Sequence, residues 1–111
     1  MELDMATFDE LKEMSGADFI NELVDTFLDD SPRLVEQMKA ALQNDDADSF
    51  RRAAHSLKSN SATFGAMRLS GMAKELEILA REQKLSEVGS KLQPLQDALD
   101  AVCVELRGLQ K

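Results

Sequence analysis

The feature that most constrains this chain is the spacing of apolar residues in its last third. Leu85, Val88, Leu92, Leu95, Leu99, Val102, Leu106 and Leu109 follow one another at alternating three- and four-residue steps. That rhythm places all eight on one stripe of a helix, and it is the stripe of a helix packed in a bundle. Nowhere does the chain alternate with period two over a useful length, so strands have no foothold. Tyr and Trp are absent, Gly and Pro are few, and the strong helix formers Leu, Ala, Glu, Lys, Gln and Met dominate. The reading is an all-α chain.

Start and stop signals divide it. Thr7-Phe8-Asp9-Glu10 reads as a capping box opening a short first helix, which Ser15-Gly16 closes. A second helix spans about Ala17–Asp30, with Ile20, Leu23, Val24, Phe27 and Leu28 on one face. Ser31-Pro32 reads as an N-cap followed by proline in the first helical position. This opens a third helix to about Gln43 that buries Leu34, Val35, Met38, Ala41 and Leu42. Asn44-Asp45-Asp46 makes a turn and a new cap. A fourth helix runs from about Asp46 to Phe64 and stops at Gly65 in the left-handed C′ position. A fifth covers about Ala66–Gln83, and a sixth starts near Ser86, with Pro94 kinking it or marking its true start. Short connections make neighbours antiparallel. The expected architecture is an antiparallel up-and-down four-helix bundle with one or two additional N-terminal helices, forming a single domain over residues 1–111.

Net charge excludes several roles. Thirteen basic against twenty-one acidic residues leave −8, with a pI near 4.6. Such a field repels phosphate backbones and anionic membrane surfaces, so neither nucleic acid nor membrane is an expected partner. No stretch reaches 18 apolar residues, the N-terminus is acidic, and Cys103 has no second cysteine to pair with. A cytoplasmic monomer is expected. Cys103 and the methionines Met38, Met67 and Met72 read as core filler.

One histidine stands out. On a helix at about 100° per residue, Phe50, Ala53, Ala54, Leu57, Ser61 and Phe64 gather into the buried stripe. His55 lies roughly opposite. Its face neighbours are Arg51, Arg52, Lys58, Ser59 and Ala62. The ring therefore points to solvent among cations that can stabilise negative charge and small residues that leave room for a partner. Glu77 joins this face. His55 lies ten residues before Gly65 and Glu77 twelve after it, about 15 and 18 Å along two antiparallel helices. The two are nearly level, so the Glu77 carboxylate is placed to accept the Nδ1–H of the ring and leave Nε2 free.

The run Ala54-His55-Ser56-Leu57-Lys58-Ser59-Asn60-Ser61-Ala62-Thr63-Phe64-Gly65-Ala66, followed by Leu69, Ala73, Leu76 and Glu77, resembles the signature of histidine-containing phosphotransfer domains. Phe27-Leu28 and Asp29-Asp30-Ser31, leading to Leu34 and Met38, fit the same pattern. The resemblance implies a phosphorelay intermediate that takes a phosphoryl group onto His55 from a receiver-domain aspartate or a histidine kinase. It then passes the group to another response-regulator receiver. It further implies that Lys58 is the cation beside the phosphate and that Ser59 gives the partner clearance. Ser59 stands where glycine is common, and Glu77 where some members carry glutamine. Arg51, Arg52, Ser59 and Ala62 are the expected partner contacts, alongside a catalytic set of His55, Lys58 and Glu77.

On this reading the chain is a carrier without turnover of its own. It needs no cofactor or metal, and the Mg²⁺ of the reaction belongs to the receiver. Two other readings stand beside it. One is the phosphoacceptor domain of a chemotaxis-type kinase. The other is a non-catalytic helical adaptor with an incidental surface histidine, which predicts indifference to replacing His55. An independent enzyme is the weakest reading, since there is no P-loop, no nucleophile–base pair and no metal triad.

Overall fold

The computed structural model describes residues 1–110. Five α-helices follow in order: α1 (Met5–Ser15), α2 (Ala17–Gln43), α3 (Ala47–Thr63), α4 (Met67–Arg81) and α5 (Gly89–Leu109), with a 3₁₀ turn at Leu85–Glu87 before the last. Helix α3 packs between α2 and α4, and α5 lies against both α4 and α2, which closes a four-helix ring. Helix α1 rests on α2 near one end, and the molecule measures 42 × 20 × 20 Å. The up-and-down bundle with one additional N-terminal helix is the expected one.

The core is the set of apolar stripes turned inward. Val35 and Met38 of α2, Phe50 and Leu57 of α3, and Leu69 and Leu76 of α4 are sealed from solvent, as are Leu95, Leu99, Val102 and Leu106 of α5. Each such side chain contributes on the order of 2 kcal/mol on leaving water. Helices α3 and α4 pack most extensively, and their buried residues include the small Ala54, Ser61, Ser70 and Ala73, which let backbones approach. The Ser70 hydroxyl donates from α4 to the Lys58 carbonyl of α3 at 3.0 Å.

Three sequence expectations are corrected. Ser31-Pro32 does not divide two helices; α2 is continuous from Ala17 to Gln43 with Pro32 inside it. Proline removes the N–H that would bond the Leu28 carbonyl, a cost of about 3 kcal/mol. The buried stripe Ile20, Val24, Phe27, Ser31, Val35 and Met38 nevertheless keeps step through the break, and burying both halves in one core outweighs that cost. Thr7 does not cap α1 either. Asp4 does, accepting from the Ala6 N–H and the Thr7 hydroxyl, and the helix starts at Met5. Finally, Met67 is exposed, whereas Met38 is sealed and Met72 half-buried.

Other local expectations hold. Asp46 caps α3 by accepting from the Ser49 N–H at 3.1 Å. Gly65 takes φ +81°, and the Ala66 and Gly65 N–H groups return to the Ser61 and Ala62 carbonyls, a Schellman ending. A β-carbon at Gly65 would meet the Asp4 carbonyl at 2.8 Å, so only glycine lets the N-terminal segment lie across this turn. Pro94 sits inside α5, near its start. Cys103 is buried, and burial pushes its thiol up.

Candidate functional site

Helix α3 presents His55 from the side opposite its buried stripe, and the imidazole is 55% exposed. The carboxylate beneath it comes from α4. Glu77 follows the buried Leu76 and has only 3% of its side chain in contact with solvent. Its Oε2 lies 2.7 Å from His55 Nδ1. The tight α3–α4 packing sets this register, and Gly65 is the pivot from which both residues are counted.

A buried carboxylate is tolerated only when its charge is met. Here three cationic or donor groups meet it. Lys58 Nζ lies 2.8 Å from Oε1, His55 Nδ1 2.7 Å from Oε2, and Arg81 Nη2 3.4 Å from the same Oε2. Burial pulls the Glu77 carboxyl upward, but the hydrogen bonds from Lys58 and His55 and their charges outweigh it. The group is held below its ordinary value of 4.5. An ionised Glu77 accepts the Nδ1–H, which selects the tautomer whose lone pair is on Nε2 and turns that atom outward.

The structure joins three of the sequence-derived residues through direct contacts and turns two of the others elsewhere. His55, Lys58 and Glu77 form one network. The Lys58 ammonium, however, is engaged by Glu77 at the Nδ1 side of the ring. Arg51 and Arg52 turn away to Asp48, at 2.9 and 3.3 Å, so the basic face inferred from the wheel is partly neutralised by a residue one turn back. Ser59 is exposed and shares an open depression with His55, and Ala62 is half-buried.

Two groups of residues escaped the sequence reading. Arg81 lies four residues after Glu77, a spacing that pairs charges on a helix, and that signal was available. Asp30, Arg33, Leu34 and Gln37 come from α2 and, with Asn60, line an open depression of about 600 Å³ around His55. Only the packing of α2 against α3 puts them there. Among the described residues no group of three or more His, Cys, Asp or Glu side chains gathers to hold a metal, and no helix is long and apolar enough to cross a membrane.

The fold and site define a helical bundle that presents one braced imidazole on an open surface. Comparison with known proteins agrees. The model of the Hpt domain family matches residues 22–105, and the chain belongs to that family. Its members pass phosphoryl groups through a histidine in phosphorelay signalling, with histidine kinases and receiver domains as partners. The chain is similar to the crystal structure of histidine-containing phosphotransfer protein B from Pseudomonas aeruginosa PAO1. The two are 32% identical, the match covers 98% of this chain and 94% of that one, and the TM-score is 0.93. The HPT domain of a sensor hybrid histidine kinase from Shewanella shares the fold at 21% identity, with coverage of 96% and 95% and a TM-score of 0.76. No curated protein matches.

Proposed function

We propose that His55 is the residue on which this domain carries its phosphoryl group. The observation that supports this most is the pairing of an exposed imidazole with a buried, ionised carboxylate on Nδ1. The Nε2 lone pair attacks the phosphorus of a receiver's aspartyl phosphate. The Nε2–P bond forms, the bond from phosphorus to the carboxylate oxygen breaks, and the aspartate leaves as a carboxylate. Nδ1 keeps its proton, and the positive charge taken up by the ring is offset by Glu77. Lys58 is the cation that turns to the phosphoryl oxygens. The same steps in reverse deliver the group to another receiver.

Positioning and electrostatics supply most of phosphoryl-transfer catalysis, so an open face serves as well as a pocket. The depression between α2 and α3 admits the receiver, with Ser59 and Ala62 giving clearance, and Arg51 and Arg52, one turn before His55, are further contacts for it. We assign the Mg²⁺ of the reaction to the receiver, and read the chain as a cytoplasmic monomeric carrier that turns over only with its partners. Incubation with a ³²P-labelled receiver domain is expected to label the chain with acid-labile phosphate and to leave His55→Gln unlabelled. Label retained by His55→Gln overturns the assignment and favours the adaptor reading.

A further inference from the structure

The buried carboxylate carries an obligation that changes when the ring is loaded. In the free domain Lys58 makes the ion pair to Glu77 Oε1, at 2.8 Å, while Oε2 is shared by His55 and Arg81. Glu77 holds the half-exposed ring by Nδ1 through Oε2 and holds Lys58 through Oε1, so Nε2 is the ring nitrogen that this carboxylate does not engage. An ammonium that closes on phosphoryl oxygens at Nε2 therefore draws away from Oε1. A carboxylate with 3% exposure that loses its ammonium would favour a proton, and a protonated Glu77 no longer holds the Nδ1–H as an anion.

Arg81 is placed to prevent this. It follows Glu77 by one helical turn, is 60% exposed, and its Nη2 stands off at 3.4 Å, beyond the usual range of a charged hydrogen bond. It makes no other ion pair among the described residues. A guanidinium offers a fork that can span both oxygens of a carboxylate. Of the other charged groups, His55 and Lys58 come from α3 and are the ones that move; Lys74, three residues before Glu77 on α4, is exposed and makes no ion pair with it among the described residues, and Lys91 of α5 is held by Glu75 at 2.8 Å.

We propose that Arg81 is a positioning residue that takes over the Glu77 carboxylate when Lys58 turns to the phosphoryl group, and so keeps Glu77 ionised and His55 Nδ1 protonated in the phosphorylated state. The proposal rests on His55 being the phosphoryl acceptor.

The test uses the whole chain, phosphorylated with potassium phosphoramidate. The Glu77 side-chain carboxyl is followed by ¹³C NMR as pH is varied, its signal assigned by loss in Glu77→Gln. Arg81→Gln is expected to raise the Glu77 titration by about one pH unit more in the phosphorylated chain than in the free one, a tenfold weaker hold on the charge. Arg81→Lys, which keeps charge but not the fork, falls between. Circular dichroism of both variants checks that the helices persist. An equal shift in the two states, or none in either, overturns the proposal. Absence of label on His55 overturns the reading beneath it, and the proposal with it.

Discussion

Glu77 shows how much one buried side chain can set. Its folded carboxyl sits below 4.5 because Lys58 and His55 together outweigh burial. The sign of the pH effect follows. The unfolded chain binds the proton first as pH falls, so the stabilisation is fully present above 4.5 and is lost as pH drops through the lower folded value. Glu77→Gln removes the charge and leaves Lys58 unpaired, which is expected to cost about 1–3 kcal/mol near neutrality. In urea melts from about pH 7 down to about pH 3, the gap between wild type and Glu77→Gln should close below 4.5. A gap that persists unchanged in acid means the charge of Glu77 contributes nothing to stability. At the same scale His55 was legible in the sequence, because a position opposite a buried stripe needs only the helix period. The partners of Glu77 were half legible. The level with His55 follows from antiparallel counting, but the choice of Lys58 for Oε1 depends on where a long flexible side chain finds an anion.

The C-terminal ends of α2, α3 and α4 are built to one pattern. Asp45, Gly65 and Gln83 all take positive φ, at +52°, +81° and +60°, and each is followed by an N–H that reaches back to the preceding helix: Asp46 to Ala41, Ala66 to Ser61 and Lys84 to Leu79. Glycine adopts this conformation freely, and Asp tolerates it, but Gln pays in steric strain. Gln83→Gly is expected to stabilise the domain by about 1 kcal/mol, read as a rise in the urea midpoint at unchanged slope. A fall would mean that the Gln83 side chain makes a compensating contact. Gly65 and Asp46 were readable as punctuation because their chemistry is local. Pro32 misled for the same reason. Its local signal is that of a helix start, and it was overruled by packing along the stripe on either side of it.

Across the whole molecule, the N-terminal segment ties the bundle together. Glu105 of α5 accepts from the Glu2 and Leu3 N–H groups, the Asp4 N–H donates to the Gly65 carbonyl at 2.9 Å, and Arg68 of α4 pairs with Glu2 at 3.2 Å. Leu3 is buried beneath these contacts. Glu105→Ala is expected to lower stability by about 1–2 kcal/mol, since it strands two backbone donors, while His55 accepts phosphate at an unchanged rate. Thermal melts and labelling measure the two effects. Loss of labelling together with stability would show that this end of the bundle is coupled to the site.

What the sequence by itself determined is whatever depends on a few adjacent residues. The helix period made the chain all-α, Gly65 and Asp46 set two boundaries of the site, and the wheel turned His55 outward. The tertiary structure decided the rest: α2 running unbroken through Pro32, Asp4 displacing Thr7 as the first cap, Arg51 and Arg52 turned to Asp48, and Arg81 brought beside Glu77. Local preferences are worth about 1–3 kcal/mol each. A shared core of many side chains, at on the order of 2 kcal/mol apiece, overrides them wherever the two disagree. His55 faces solvent whichever prevails, but the buried anion that orients it exists only because α3 and α4 pack as they do.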